Sequence, residues 1–452
     1  MEAITYYSTN LKAPSVSFRD ALLKGQAPDK GLYMPSRIPA LTDGELKAFA
    51  SMTYPEIAYS VLSAFLKEEV PAHSLRTLVE DAYDYPVPLE HVLDRKYVMR
   101  LDQGPTASFK DFAARMMGRL MNYFLEQEER ELFILTATSG DTGSAIANAF
   151  YGLDNIRVLI LFPETEVTSR QRKQMTTLGK NVDVVAIDGK FDDCQAMVKR
   201  AFADPELEHL NLSSANSINI GRLLPQAVYY FYAWSQLRKE ADEQATFVVP
   251  SGNFGDMMGG MIAWRMGLPV HNMVIAVNEN DEFPAFLQTG AYEKIEPSRN
   301  CLSSAMNVGH PSNLARLVAL YGGMMDETGH IHKAADMEAM RRDLRSFSVT
   351  DDRTKATIAE AWKTHKLLLE PHGAVGWAGL TDTLNACGDH ADHLYVVLET
   401  AHPAKFPEQI REILGFDPAL PPSLKGLEEQ KENYSLMEHK YGDFRDYLLK
   451  TS

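Results

Sequence analysis

The chain has 452 residues, 45% of them hydrophobic and 23% charged, which is typical of a globular protein with room for two or three domains. Its formal net charge of -16 at pH 7 argues against nucleic acid or an anionic membrane as a partner, because these surfaces bind clustered lysine and arginine. No stretch approaches the roughly 20 apolar residues that cross a bilayer, and the N-terminus lacks a signal-peptide pattern. We therefore expect a soluble cytoplasmic protein.

The cysteines are few and far apart. They are Cys194, Cys301 and Cys387, and no pair has the Cys-x-x-Cys spacing. This arrangement predicts neither a disulfide framework nor a zinc site. We expect all three to be reduced thiols in the core, in a reducing compartment, and we expect no metal site.

Residues 1–95 differ in pattern from the rest of the chain. SFRDALLKG and GELKAFASM have helical patterns, and APDKGLYMP, with its proline and glycine residues, predicts an ordered turn region. We expect residues 1–95 to form an N-terminal domain, and residues 96–205 to form a small α/β domain with the loops at Lys110 and 139–142. Residues 206–452 are expected to form a large α/β domain, in which the stretch from Pro418 is helical after a proline-rich start.

Short β-rich apolar runs alternate with longer helical stretches, which predicts βαβ units on parallel sheets. The predicted strands are Tyr97–Leu101, Leu132–Thr136, Arg157–Phe162, Val182–Ile187, Thr246–Val249, Met273–Val277 and Leu394–Leu398. In such sheets, ligands bind beyond the carboxyl ends of the strands. Four runs lead into loops of unusual composition, DQGPTASFKDF, ATSGDTG, PSGNFGD and ETAHPAK. We expect these loops to meet at one active site.

In the first of these loops, Lys110 stands where the loop becomes a helix, flanked by Phe109 and Phe112. A lysine amine attacks an aldehyde only when it is deprotonated, and an apolar, partly buried setting lowers its pKa toward that form. The alternative is a surface lysine in the first turn of a helix. Composition alone favours that alternative.

The second loop, TATSGDTGSA, offers the hydroxyls of Thr138, Ser139 and Thr142 beside the N–H groups of a helix start. Such a loop can hold a substrate carboxylate by the same physics that holds a phosphate. Asp141 is unexpected in an anion site. The alternative is that Ser139 or Asp141 simply caps the following helix.

The segment Asn211–Gln226 clusters polar residues, namely Asn216, Ser217, Asn219 and Arg222. The planar guanidinium of Arg222 can clamp a phosphate with two parallel hydrogen bonds. A solvated helix start with a single arginine is a common alternative, and this segment does not decide between the two.

PSGNFGD runs from a predicted strand into the helical pattern MMGGMIAW. A turn of this kind exposes N–H groups at the positive end of a helix dipole, where phosphates bind. Gly252 and Gly255 would let the backbone approach phosphate oxygens closely. The loop matches neither a Walker motif nor G-x-G-x-x-G, and by itself a plain strand-to-helix turn is nearly as good an interpretation.

Together, the motifs of this chain resemble those of the threonine synthases, which are fold-type-II pyridoxal-phosphate enzymes. The matching segments, in chain order, are YYSTN, SFRDALLKGQAPDKGLYMP, GPTASFKDF, TATSGDTGSA, ANSINIGR, PSGNFGD, EPHGAVG and ETAHPAKF. The resemblance covers most of the chain. It implies an α/β fold similar to the tryptophan synthase β subunit, with parallel-sheet domains, an extra N-terminal domain and pyridoxal 5'-phosphate as cofactor.

The resemblance also implies cofactor-binding roles. Lys110 matches the lysine that carries the cofactor as a Schiff base, and Thr400 matches the hydroxyl residue facing the pyridine nitrogen. Asp141 matches a position beside the cofactor's 3-oxygen, where protonation or backbone N–H groups are expected to prevent repulsion. The residues that match the cradle of the cofactor phosphate are Gly252, Asn253, Phe254, Gly255 and Asp256.

The same resemblance implies a substrate and a reaction. Thr138, Ser139 and Thr142 match contacts of the substrate carboxylate and phosphate. The phosphate pocket for O-phospho-L-homoserine is matched by Asn216, Ser217 and Arg222. The reaction converts this substrate and water to L-threonine and phosphate by β,γ-elimination and hydration, with Lys110 as the general base.

The sequence is also compatible with other functions. A phospho-lyase of the same fold would release a 2-oxo acid instead of threonine, and a serine or threonine dehydratase would not need the pocket around Arg222. A non-catalytic binding protein would have no reason to keep Lys110 and Thr400. The long N-terminal opening resembles that of microbial and fungal threonine synthases, which implies a monomer.

Overall fold

The computed structural model describes residues 3–138, 140–388 and 390–451. Its strands are β1 Tyr6–Ser8, β2 Tyr33–Pro35, β3 Leu89–Leu93, β4 Lys96–Arg100, β5 Leu132–Ala137, β6 Ile156–Pro163, β7 Val182–Asp188, β8 Leu212–Ser213, β9 Ala245–Pro250, β10 Val270–Val277, β11 Met324–Met325, β12 Ile331–Lys333, β13 Leu344–Ser348, β14 Leu394–Glu399 and β15 Ser435–Glu438. Its α-helices are α1 Phe18–Lys24, α2 Asp43–Ala48, α3 Tyr54–Leu66, α4 Ala72–Ala82, α5 Lys110–Glu128, α6 Asp141–Phe150, α7 Ser169–Thr176, α8 Phe191–Phe202, α9 Ile220–Leu223, α10 Ala227–Leu237, α11 Gly255–Arg265, α12 Glu282–Thr289, α13 Leu314–Leu320, α14 Met337–Asp343, α15 Asp351–His365, α16 Pro371–Cys387, α17 Pro407–Leu414 and α18 Tyr441–Thr451.

Within the described residues, the larger sheet has six strands in the order β13-β10-β9-β14-β4-β3. All neighbours are parallel except the edge strand β3, which is antiparallel to β4. Both faces are covered, because Phe247 and Val249 pack into one apolar cluster while Val248 packs into another. Double-sided burial explains why these strands appear in the sequence as continuous apolar runs.

The smaller sheet has five parallel strands in the order β15-β7-β6-β5-β8 within the described residues. Its central strands contain the apolar runs that the sequence predicts at 132–136, 157–162 and 182–187, each extended by one or two residues. The other predicted strands belong to the larger sheet. The expectation of parallel sheets is thus confirmed.

The two sheets do not follow the domain ranges expected from the sequence. Strand β4, within the range 96–205, lies in the larger sheet between β14 and β3. Strands β8 and β15, within the range 206–452, lie at the two edges of the smaller sheet. Parallel strands need long crossovers, so the chain can leave a sheet and return to it much later. A boundary at 205 therefore does not separate one sheet from the other.

The N-terminal segment shares a hydrophobic core with the rest of the chain. The antiparallel pair β1–β2 and helices α1 to α4 precede the first strand of the larger sheet. The ring of Tyr54 on α3 lies 5.3 Å from the ring of Tyr232 on α10, and Phe49 lies 5.7 Å from Phe231. Residues 1–95 are therefore anchored on α10 by aromatic contacts.

Two simpler expectations are also tested by the fold. Cys194 and Cys301 are buried, but Cys387 is exposed, so the expectation of three core thiols is wrong for Cys387. Cys387 is the last residue of α16, and Gly388 caps the end of that helix. In the part of the chain that the structure describes, no helix is both long and apolar enough to cross a membrane.

Candidate active site

Lys110 is the first residue of α5, as the sequence predicts, and the loop before it is fastened to the end of β14. The Phe109 N–H donates to the carbonyl of Thr400 at 2.9 Å, and the His402 N–H donates to Ala107 O at 3.0 Å. Ala107 itself has a left-handed backbone, with φ of 55°. These bonds bring the Lys110 loop and the Thr400 loop together at the carboxyl edge of the larger sheet.

The amine of Lys110 lies in an enclosed, mixed environment. Its side chain is 14% exposed, and Nζ lies 4.0 Å from Asp141 Oδ2 and 4.7 Å from the centre of the Phe109 ring. Burial lowers the pKa of Lys110, and the nearby positive charges of Lys405 and Arg222 lower it further, against Asp141 and Asp256. The interpretation of Lys110 as a plain surface lysine is therefore wrong.

Asp141 is the first residue of α6 and is held as an anion. Its Oδ1 accepts from Lys405 Nζ at 2.6 Å and from Gln171 Nε2 at 2.9 Å. Burial by itself would raise the pKa of Asp141, but Lys405, Lys110 and the Gln171 hydrogen bond hold it well below its usual value. In the described structure the compensating charge for Asp141 comes from the buried lysine Lys405, a partner that the sequence did not suggest.

The loop before α6 is shaped by Thr138. Its Oγ1 accepts from the N–H groups of Gly140 and Gly143, at 3.0 and 2.8 Å, so its lone pairs hold the backbone turn. Gly140 has φ of 132°, a conformation open to glycine. Thr142 is half-buried on the first turn of α6, and Ser139 lies outside the described residues.

The loop between β9 and α11 has the form of a phosphate cradle. Phe254 has a left-handed backbone, with φ of 62°, and α11 starts at Gly255. A Cβ on Gly252 would meet Met306 Cα at 2.8 Å, so only glycine fits there. The first-turn N–H groups of α11 have no intrahelical acceptors. Asp256 is buried, and burial raises its pKa to about 6.

This loop is joined to the segment that carries Ser217. Asn253 Nδ2 donates to Ser217 Oγ at 2.6 Å, and Asn253 Oδ1 accepts from the Ser312 N–H at 2.6 Å. Asn313 Nδ2 donates to the carbonyl of Asn253 at 2.9 Å. Ser217, predicted for the substrate pocket, therefore lies beside the predicted cofactor cradle.

Arg222 is buried without a carboxylate partner. It is 3% exposed, donates from Nη1 to Ala215 O at 2.8 Å, and belongs to no ion pair among the described residues. Burial lowers its pKa to about 10, against Asp111, so it remains a cation at neutral pH. Arg222 Nε and Asn216 Oδ1 are buried without hydrogen-bond partners in the described structure. A buried cation with an unused donor is suited to an incoming anion.

Sequence reasoning missed two site residues. Lys405 lies in the ETAHPAK loop, which the sequence predicts to be part of the site because it follows a strand. No pattern in the sequence indicates that the ammonium of Lys405 reaches Asp141. Gln171, at the start of α7, carried no signal at all. Both contacts join residues that are far apart in the chain, and only the fold brings them together.

The geometry fits pyridoxal 5'-phosphate. Gly252 cannot carry a side chain, α11 presents its N-terminus beside it, and Lys110 stands at the meeting point of the loops with an amine whose pKa is lowered by burial. The fold and the site define a pyridoxal-phosphate enzyme of fold type II, and the family model "Pyridoxal-phosphate dependent enzyme" matches residues 87–400. The models "Threonine synthase N terminus" and "Threonine synthase, C-terminal" match residues 5–83 and 373–448. The chain belongs to the threonine synthase family.

Relatives of similar length support this assignment. The chain is 39% identical to the threonine synthase of Serratia marcescens over 435 residues, which is 96% of each chain. It is 40% identical to that of Escherichia coli over 410 residues, covering 90% of this chain and 91% of the relative. The crystal structure of pyridoxal-phosphate-bound threonine synthase from Brucella melitensis is 37% identical, covers 100% of both chains and superposes with a TM-score of 0.92.

Proposed function

We propose that this chain converts O-phospho-L-homoserine and water into L-threonine and inorganic phosphate. The observation that carries the proposal is the enclosed amine of Lys110, which faces Asp141 where the strand-end loops meet. Similarity to threonine synthases over nearly the whole chain supports this reaction. A phosphorylated substrate also suits the buried, unpaired cation of Arg222.

The residues present can hold the cofactor in one arrangement. We assign its attachment to Lys110 Nζ, its phosphate to the loop 252–256 with the N-terminus of α11, and its ring nitrogen to the hydroxyl of Thr400. Asp141 is assigned to the neighbourhood of the 3-oxygen, where its pairing with Lys405 offsets the repulsion a lone carboxylate would exert. Bound pyridoxal phosphate supplies an aldehyde that takes up amines covalently and a ring that spreads carbanion charge.

Lys110 is the group that moves protons. Once the substrate amine has replaced it, Lys110 Nζ accepts the proton from the substrate α-carbon and later one from the β-carbon. This task requires the neutral amine, and the burial of Lys110 lowers its pKa in that direction. The two protons return to the substrate, one to the γ-carbon after phosphate has left and one to the α-carbon. Water adds its hydroxyl at the β-carbon and gives its proton to the phosphate, which completes L-threonine.

The leaving phosphate carries charge that the site must neutralise. We assign this task to Arg222, with Asn216 and Ser217 as hydrogen-bonding partners. Arg222 Nε is buried without a partner in the described structure, so this donor is available to a bound anion. Preorganised donors of this kind stabilise developing negative charge in a water-poor site.

The substrate carboxylate is assigned to the loop before α6. Ser139 and Thr142 are its proposed hydroxyl contacts, together with the first N–H groups of that helix. We propose that Thr138 acts mainly by holding the loop, because its oxygen already accepts from Gly140 and Gly143.

The proposal is tested by the products formed from O-phospho-L-homoserine. Inorganic phosphate and amino acids are measured with the wild type, with Lys110→Ala, and with Lys363→Ala as a control at an exposed lysine. We expect phosphate and threonine in equal amounts from the wild type and the control. We expect at least about 10³-fold less of both from Lys110→Ala, because it lacks the base.

Other outcomes would contradict the proposal in distinct ways. Phosphate together with a 2-oxo acid would identify a phospho-lyase on the same site. Turnover of serine or threonine without any requirement for phosphate would identify a dehydratase, and the pocket around Arg222 would then be wrongly assigned. Failure of every substrate with cofactor bound would favour a binding protein.

We also propose that the chain works as a monomer. The N-terminal opening of the chain, which resembles that of microbial and fungal threonine synthases, supports this proposal. Sedimentation velocity over a range of concentrations should give the mass of a single chain, and a stable dimer would overturn this assignment.

A further inference from the structure

A second lysine is buried at the site. Lys405 has 0% side-chain exposure, and its Nζ lies 2.6 Å from Asp141 Oδ1. The same ammonium donates to the carbonyl of Thr106 at 2.9 Å, in the loop that leads to Lys110. Burying an ammonium costs desolvation free energy that only pairing offsets. Packing alone therefore does not account for the position of Lys405.

Lys110 is surrounded by charges of both signs. The carboxylates of Asp141 and Asp256 favour its ammonium form, whereas the cations of Lys405 and Arg222 favour its neutral form. Of these groups, Asp141 is 4.0 Å from Lys110 Nζ. Its charge therefore has a large influence on the protonation of Lys110.

Without Lys405, Asp141 would be a buried carboxylate with Lys110 as its available cation. Such a carboxylate would hold Lys110 as an ammonium, which does not attack an aldehyde. With Lys405 on Oδ1, the charge of Asp141 is already matched. Lys405 also repels a proton on Lys110, as a neighbouring cation does in other enzymes that use a neutral lysine.

We propose that Lys405 is a positioning residue that matches the charge of Asp141 and so keeps Lys110 available as a neutral amine for capturing the cofactor aldehyde. This inference rests on the role of Lys110 in the proposed function. In this proposal Lys405 does not contact the reacting atoms, and its effect on Lys110 is exerted through Asp141.

The test uses cofactor-free protein and follows the second-order rate of pyridoxal phosphate capture, by absorbance, as a function of pH. For Lys405→Met we expect the midpoint of the rate profile to move to higher pH and the rate at neutral pH to fall about tenfold. For Asp141→Asn we expect the midpoint to move to lower pH, because Lys405 then repels without compensation. The double variant Lys405→Met/Asp141→Asn should return toward the wild-type midpoint.

Controls separate this role from a structural one. Lys405→Arg keeps the charge and should keep the midpoint, and Lys363→Met should leave the whole profile unchanged. A lower rate at every pH with an unmoved midpoint in Lys405→Met would show that Lys405 only supports the fold. If Lys405→Met does not fold, the double variant is compared with Asp141→Asn alone, and equal midpoints for these two would overturn the proposal.

The role of Lys110 is checked in the same assay with Lys110→Ala. Capture that persists in Lys110→Ala with the wild-type profile would mean that another amine takes the cofactor, and the proposed function would fail first. Loss of capture in Lys110→Ala, with no shift in Lys405→Met, would overturn only the inference about Lys405.

Discussion

Asn253 Nδ2 donates to Ser217 Oγ at 2.6 Å, and this bond joins the predicted cradle of the cofactor phosphate to the predicted phosphate pocket of the substrate. The same asparagine accepts from the Ser312 N–H through Oδ1, so both ends of its amide are used. Asn253 therefore links two segments that are predicted to bind anions and that lie on different parts of the chain.

Ser217→Ala should weaken the binding of both the cofactor and the substrate. The change removes the acceptor of Asn253 Nδ2, and a lost hydrogen bond of this kind costs about 1 kcal/mol, or roughly fivefold in binding. We expect cofactor affinity to fall by that factor and the KM for O-phospho-L-homoserine to rise. Equilibrium titration with pyridoxal phosphate measures the first effect, and Ser51→Ala, at an exposed serine, serves as the control. Unchanged cofactor affinity would mean that the hydrogen bond between Asn253 and Ser217 does not position the predicted phosphate cradle.

Arg222→Met should reduce kcat/KM for O-phospho-L-homoserine by about 10²- to 10³-fold, because the leaving phosphate loses a preorganised donor. The bound cofactor should keep its absorbance band, since Lys110 is unchanged. Steady-state phosphate release measures the loss, and Arg157→Met provides a control at a partly exposed arginine. A variant with near wild-type turnover would remove Arg222 from the phosphate pocket.

The strands were predictable because burial on both faces of a sheet leaves continuous apolar runs in the sequence. The site loops were predictable because they directly follow such runs. The run at 246–249 is apolar at each position after Thr246, and the glycine-containing loop follows at once. The helix start at Lys110 was also predictable, from the change of pattern after GPTASF. These features depend on neighbouring residues, so the sequence reveals them without any knowledge of the fold.

Contacts between distant segments were not predictable in the same way. The pairing of Asp141 with Lys405 depends on the loop after β14 reaching α6, and neither segment carries a sign of the other. The helix predicted after Pro418 is correct only for α18, because β15 precedes it as an edge strand on β7. Its sequence, SLME, has no strong β pattern, so its partner determines its conformation.

Glu282 should make the protein less stable as the pH rises from about 4 to about 8. It is 5% exposed, Oε2 has no partner in the described structure, and burial raises its pKa to about 8. The folded state then binds a proton that the unfolded state releases near its ordinary pKa of 4.5, so unfolding is favoured as pH rises through this window.

Glu282→Gln should remove this dependence and raise the free energy of unfolding at pH 8 by about 2–4 kcal/mol relative to the wild type. Urea denaturation of the cofactor-free proteins at several pH values measures the effect. Glu293→Gln, at an exposed glutamate, should leave the pH dependence as it is. Parallel pH profiles for wild type and Glu282→Gln would show that Glu282 is ionised in the folded protein.

Arg316 holds the Ser217 segment against the N-terminal part of the chain. It is fully buried, and its guanidinium donates to the carbonyls of Tyr33, Ser217 and Ile218 at distances from 2.7 to 3.1 Å. Burial lowers its pKa to about 9, so it is still charged at neutral pH. Because these carbonyls belong to separate segments, one side chain fastens β2 to the predicted substrate pocket.

Arg316→Met should lower the free energy of unfolding by about 3–5 kcal/mol, because several buried carbonyls lose their donors at once. Urea denaturation measures the loss, with Arg19→Met as a control at a more exposed arginine. Arg316→Lys should recover only part of the stability, because an ammonium cannot span carbonyls that a planar guanidinium reaches together. Equal stability of the methionine and lysine variants would show that the geometry of the guanidinium does not matter. Cofactor affinity should fall together with stability in Arg316→Met, since the Ser217 segment that it releases also supports Asn253.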